Sequence, residues 1–156
     1  MQQSTLNHTL TLSFDEGFHI MEPAELDQYL IYDDQSRFGI ADDSRHVAIA
    51  IIWNKPGALI RTVSSVRFAL RGIETVLKKT SEKFKRLDYM KTNLCGQKAL
   101  GFSYLYQAAG QERAGIAMVF KYQGYFYTIY YHARQSDGYS THKVFSKILS
   151  SIKLAQ

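Results

Sequence analysis

Five histidines, one cysteine and two pairs of adjacent aspartates are the side chains in this 156-residue chain from which catalysis or metal binding could be built. A thiol nucleophile needs a base beside it. Cys95 stands in the turn-like stretch LCGQ with no base next to it in sequence, and reads as a structural thiol. Zinc sites on a helix place histidines at i and i+4. His8, His19, His46, His132 and His142 show no such spacing. Asp33-Asp34 and Asp42-Asp43 lack the alternation and glycine of a calcium loop, so they read as turn-forming or solvated carboxylates. No glycine-rich phosphate loop or nucleophile elbow occurs. The expectation is a chain with no catalytic residues, no metal and no cofactor, and hence not an enzyme.

The stretch YFYTIYYHAR (Tyr125 to Arg134) is the other chemically distinctive feature, with five aromatic rings in seven residues followed by a histidine and an arginine. Its partners follow from the turns. If Gln123-Gly124 closes a tight hairpin, Phe120 faces Tyr127, Met118 faces Ile129 and Ile116 faces Tyr131, which makes one face continuously apolar. On the opposite face Ala117 meets Tyr130 and Gly115 meets His132, and the preceding strand brings Phe102 beside Ala117 and Tyr104 beside Gly115. That face is a trough, floored by Gly115 and Ala117 and walled by Phe102, Tyr104, Tyr130 and His132. A sheet needs such a low place where a helix, a ligand or another chain approaches. One of the chain's own amphipathic helices is the expected occupant, and a groove for a partner peptide or small molecule is the alternative. As candidate binding residues we take these six together with Arg134, which extends the polar end beyond His132.

The elements that must position these residues read as follows. Leu10, Leu12 and Phe14 alternate with polar residues as a strand, and Asp15-Glu16-Gly17 turns into a short strand with Phe18 and Ile20. PAELDQYL opens a short helix at proline. RFGIA and HVAIAIIW form a hairpin across Asp42-Asp43-Ser44-Arg45, ended by Lys55-Pro56-Gly57. Residues 59–84 carry a helical stripe of Leu59, Val63, Val66, Leu70, Ile73 and Leu77, with Arg61, Arg67, Arg71, Lys78, Lys79 and Lys83 around it. Four strands follow at 87–94, 98–107, 113–122 and 125–134. HKVFSKILSSIKL then closes the chain as a second amphipathic helix. The predicted class is α+β: a central antiparallel sheet of six or more strands with a long central helix and a C-terminal helix packed on it, in a single domain spanning 1–156.

Bulk properties agree with a globular domain: 46% apolar and 21% charged residues, and only two prolines. Residues 1–58 hold three Arg and Lys against nine Asp and Glu; the rest hold sixteen against five. The chain therefore has an acidic and a basic pole within its net charge of +5, able to orient a partner or a self-association. The basic helix lacks the interleaved aromatics of a single-strand binder, so nucleic acid is not expected. No stretch is long enough to span a bilayer, and MQQSTLNHTLTLSFDEGF has neither the basic nor the apolar region of a signal peptide. With one cysteine the expectation is a cytoplasmic protein; an exported form with its leader removed is the alternative.

The order of elements resembles the PsbP-like fold family, shared by the photosystem oxygen-evolving accessory protein, a Ran-binding nuclear import factor and bacterial DcrB-like proteins. The resemblance rests on LTLSFDEGFHI, on the helix end VLKKTSEKF, on the hairpin run GFSYLYQAAGQERAGIAMVFKYQGYFYTIYY, and on the closing VFSKILSSIKL. It covers nearly the whole chain. It implies binding and assembly without catalysis, and some bacterial members chaperone apolar segments of secreted effectors. The functional expectation is a non-enzymatic, chaperone-like or accessory module that binds a protein partner. The alternative is a small-molecule or lipid carrier using the aromatic-walled groove.

Overall fold

Three of the strand connections are two-residue X-Gly turns, and they organise the fold. Cys95-Gly96, Ala109-Gly110 and Gln123-Gly124 all have positive φ at both positions, for example 50° and 82° at Gln123-Gly124. This left-handed pair twists in the sense of the flanking strands, and glycine at its second position relieves the strain. The computed structural model describes residues 1–29, 36–57 and 65–156. Its elements in chain order are β1 (Gln2–Leu6), β2 (Leu10–Phe14), β3 (His19–Ile20), α1 (Pro23–Leu26), β4 (Arg37–Asp42), β5 (Val47–Asn54) and α2 (Val66–Thr80). They continue with β6 (Glu82–Leu94), β7 (Gln97–Ala108), β8 (Gln111–Tyr122), β9 (Tyr125–Arg134), α3 (Gly138–Ser150) and β10 (Lys153–Leu154).

A seven-stranded sheet runs β3-β4-β5-β9-β8-β7-β6, antiparallel throughout. The register expected from the turns is the one found: Phe120 pairs with Tyr127, Ala117 with Tyr130, Gly115 with His132 and Tyr104 with Gly115. β9 lies at the centre, between β5 and β8, and Phe126 to Ala133 are all buried. The aromatic stretch is thus the middle strand of an α+β fold with both of its faces covered.

On one face Ile116, Met118, Phe120, Tyr127, Ile129 and Tyr131 meet Leu10, Leu12 and Phe14 of β2 and Phe145, Ile148 and Ile152 from the end of the chain. Tyr131 stacks on Phe145 at 4.7 Å between ring centroids. β2 belongs to a second, three-stranded sheet, β1-β2-β10, which the sequence reading did not contain. The C-terminal helix ends at Ser150 and gives way to β10, where a helix running through Leu154 was expected. On the other face α1 and α2 cover Ala41, Ala48, Ala50, Phe102, Tyr104, Ala117, Val119 and Tyr130.

The helix α2 starts where the Ser65 hydroxyl accepts from the Phe68 amide at 3.1 Å, satisfying one of the free amides at a helix start. Lys78 and Lys79 in its last turn complement the negative end of the helix dipole. Leu70 and Leu77 are buried and Val66 and Ile73 partly so, as the apolar stripe requires. Leu59 and Val63 fall outside the described residues. The helix stops at Thr80, not near residue 84, and Ser81 turns extended directly into β6, five residues earlier than expected.

Candidate functional site

The trough exists, and the chain fills most of it. Phe102, Tyr104, Ala117 and Tyr130 are buried in one cluster with Leu70 and Leu77, so α2 lies across its middle. The missing side chain of Gly115 serves a neighbour on the next strand. A Cβ there would sit 2.5 Å from the Tyr104 ring, so that ring lies flat over Gly115. Phe84 of β6 extends the aromatic packing, with centroids 5.4 Å from Tyr104 and 6.3 Å from Phe102. The reading of the trough as an open aromatic-walled groove does not describe its middle, because a helix of the same chain occupies it.

The polar end is different. His132 is 6% exposed and ringed by Tyr29, Tyr104, Tyr106 and Tyr130, with centroids 5.5 to 6.4 Å away. Its Nδ1 meets the Tyr106 hydroxyl in a short hydrogen bond. Burial, assisted by the charge of Arg113, pushes the imidazole down to about 4, so it is neutral at ordinary pH. Burial also raises the Tyr106 phenol, which keeps its proton. Among the described residues three buried polar side-chain atoms find no hydrogen-bond partner: Tyr104 Oη, Arg113 Nε and His132 Nε2. Leaving such groups unpaired costs about 1–3 kcal/mol each, so their gathering in one place is notable. A depression of about 300 Å³ near them is lined by Tyr29, Ala41, Ala48, Asp42, Asp43, His46, Val47, Arg113 and His132.

A second depression of about 440 Å³ lies between α2 and the β6–β7 edge. Leu70, Met90, Leu100 and Gly101 line it together with Arg67, Arg71, Glu74, Tyr89 and Lys91. Glu74 is engaged, accepting from the Tyr89 hydroxyl at 2.9 Å and facing Arg86 at 3.4 Å and Lys78 at 3.7 Å. The Arg86 guanidinium also stacks over the Tyr89 ring at 4.2 Å. Among the described residues Arg67, Arg71 and Lys91 have no salt bridge. Phe68 is 67% exposed and Tyr89 59% exposed, with Leu87 exposed between Arg86 and Asp88 on the same strand.

All seven candidate residues lie on the trough face, with Arg134 paired to Arg113 one row beyond His132 and Gly115. Arg134 ends the strand and lines a shallow surface depression with Gln111, Glu112, Gln135 and Ser136. Cys95 is exposed in the β6–β7 turn, where its thiol donates to the Ile152 carbonyl. Ile152 belongs to the opposite face of the sheet from His132, so no thiol–imidazole pair forms. Asp42 is a turn former. It accepts from the Ser44 amide and hydroxyl and the Arg45 amide and Nε, and these bonds outweigh burial and hold its carboxyl below the usual range. Asp33-Asp34 lie outside the described residues, and no group of three metal-ligating side chains occurs among the described ones. Sequence reasoning missed Arg113, although the correct register already placed it two residues before Gly115 on the same face. It also missed Tyr29, Asp43 and His46, which reach the depression near His132 only because β5 pairs with β9. No helix among the described residues is long and apolar enough to cross a membrane.

No protein-family model and no curated protein sequence matches the chain. Solved structures do. Cyanobacterial PsbP (CyanoP) from Synechocystis sp. aligns with a TM-score of 0.70 at 12% identity, over 99% of this chain and 92% of its own. LpqN of Mycobacterium tuberculosis, described as involved in cell envelope biogenesis, aligns with a TM-score of 0.67 at 16% identity, over 94% and 83%. The Ran-binding protein Mog1p of Saccharomyces cerevisiae aligns with a TM-score of 0.63 at 9% identity, over 98% and 94%. At these identities the likeness is one of fold, and the chain has the PsbP-like fold.

Proposed function

We propose that this chain is a single, non-enzymatic α+β module that holds a protein partner in the depression between α2 and β6, in an accessory or chaperone-like role in the cytoplasm. The observation that carries this reading is the company of exposed apolar and unpaired basic groups around that depression. Tyr89 on its wall and Phe68, next to Arg67 on α2 but outside the lining, offer large apolar surface to solvent, and Arg67, Arg71 and Lys91 surround a floor of Leu70 and Leu100. Exposed aromatic side chains beside arginines are the composition of binding hot spots. β6 adds the outer edge of a 13-residue strand, whose free backbone groups can receive an extended segment. The matching partner is an extended segment carrying apolar and acidic side chains, since three cations flank an apolar floor. The Ran-binding description of Mog1p is consistent with such use of the fold.

A photo-crosslinking amino acid in place of Phe68, with the same group in place of Thr5 as control, tests this in cells. One dominant adduct from position 68, absent from position 5 and lost on combining Arg67→Glu with Arg71→Glu, is the expected result. The same weak adducts from both positions would count against the groove.

A further inference from the structure

The outer edge of β6 exposes a defined set of backbone groups, and the turns fix which they are. Cys95-Gly96 is a two-residue turn, so its flanking pair, Leu94 and Gln97, exchanges both backbone hydrogen bonds. Bonded and non-bonded pairs alternate, so Thr92 and Met90 also turn their amides and carbonyls toward β7. Those of Asn93, Lys91 and Tyr89 point the other way. The Ala109-Gly110 turn gives the same answer from the far side of β7: Ala108, Tyr106, Tyr104 and Phe102 bond to β8, which leaves Ala99 and Gly101 for β6. No strand lies beyond β6 among the described residues, and Tyr89, Lys91 and Asn93 are exposed.

Only part of this edge is straight. Register shifts break the pairing between Glu82 and Lys85 and again between Arg86 and Tyr89, and such bulges twist an edge away from an incoming strand. From Tyr89 to Leu94 the pairing is regular. The outward-facing residues carry their side chains on the α2 side, since Tyr89 pairs with Phe102 and Lys91 with Leu100. A strand added here therefore sets every second side chain over the depression lined by Arg67, Leu70, Arg71, Tyr89 and Lys91. Opposite Lys91, with Arg67 and Arg71 nearby, an acidic side chain is matched. Opposite Tyr89 it is not, because Glu74 already accepts from the Tyr89 hydroxyl at 2.9 Å, and an aromatic side chain suits that place. A second copy of β6 is a poor occupant. The antiparallel register that uses all three outward residues sets Lys91 against Lys91.

We propose that the α2–β6 depression takes its partner as an added antiparallel strand, bonded to the backbone of Tyr89, Lys91 and Asn93 and reading acid–x–aromatic in its own direction. Antiparallel pairing lets each of these residues exchange both bonds with the one opposite. The inference rests on the depression being the protein-binding surface, and adds to it the backbone pairing, the direction and the order of side chains.

The probe is the end-capped peptide TTETFT, titrated into the full chain and followed by NMR. It should bind saturably and slow the exchange of the Tyr89, Lys91 and Asn93 amides, while those of Met90 and Thr92, already bonded to β7, stay unchanged. N-methylation of its glutamate, whose amide meets the Lys91 carbonyl, should weaken binding about tenfold or more. N-methylation of the next threonine, whose amide points away from the edge, should change it by less than about threefold. The reordered peptide TTFTET should bind about tenfold more weakly, and Lys91→Glu, at an exposed position, should weaken TTETFT by a similar factor. Absence of saturable binding would overturn the proposal. So would equal losses from the two N-methylated peptides, or TTFTET binding as well as TTETFT. The adduct from position 68 judges the surface separately: that adduct together with equal N-methyl effects would keep the groove and remove the added strand.

Discussion

His132 should make the stability of this protein depend on pH in a window where few other groups contribute. Its imidazole falls from 6.5 to about 4 on folding, because burial and the neighbouring Arg113 charge both disfavour the cation. The unfolded chain therefore binds a proton that the folded chain refuses between those values. Stability is full above pH 6.5, declines as pH falls, and levels off once pH drops below the folded value. At about 1.36 kcal/mol per pH unit the whole loss amounts to roughly 3 kcal/mol, of which about 2 kcal/mol is gone by pH 5. Urea melts from pH 7.5 to 4 read this directly, and His132→Gln is the control, since an amide fills similar space and can still meet Tyr106 without titrating. His19 shifts the opposite way through its bond to Glu25, but it is present in both proteins and cancels in the difference. The wild-type curve should fall relative to that of H132Q by about 3 kcal/mol across the window. Parallel curves would refute the reasoning, by showing that the histidine is protonated in the folded protein or reached by solvent.

Three further substitutions test the packing. Leu70→Ala, emptying a buried position under α2, should cost about 2–5 kcal/mol in a denaturant melt, while Arg71→Ala on the outer arc should change stability by less than about 0.5 kcal/mol. Ala117→Leu should destabilise by about 1–3 kcal/mol, because Ala117 is 0% exposed beneath that helix; an unmoved melt would mean that α2 does not sit there. Arg45→Ala removes the partner of Asp42, whose side chain is 4% exposed, and should lower stability by about 3 kcal/mol at neutral pH; recovery on adding Asp42→Asn would assign the loss to the uncompensated carboxylate.

What was legible in the sequence was whatever local chemistry dictates. The X-Gly turns set the register of β7, β8 and β9, and with it the row joining Tyr104, Gly115 and His132. The stripe Val66, Leu70, Ile73, Leu77 identified the helix and the face it buries. The rest depends on distant partners. β1 is QQSTL, with Leu6 its only fully buried residue, and β10 is two residues held by β2; neither carries a pattern of its own. β6 is exposed along nearly all its length, so residues 82–86 lack the alternation that separates a strand from the end of a charged helix. The pairing of β5 with β9 spans the chain, and without it nothing links Ala48 and His46 to His132. Core and trough were therefore readable, while the depression at the trough's end was not.

The short sheet β1-β2-β10 has a consequence for how the molecule is made. β2 is the cover over one face of the large sheet, and it is pinned from the other end of the chain: the Ser13 amide donates to the Ser151 hydroxyl at 2.9 Å, and the Ala155 amide to the Thr9 carbonyl at 2.8 Å. The hairpins from β6 to β9 and the helix just before them are neighbours in sequence and can assemble while synthesis continues. Leu10, Leu12 and Phe14 leave the ribosome well before α3 and β10 and must wait for them before they are fully enclosed. Contacts of such long sequence separation slow folding and lengthen the time that sticky surface stays open. The polar alternation of β1, which hydrogen-bonds β2 along its free edge from the start, shields that early segment during the interval.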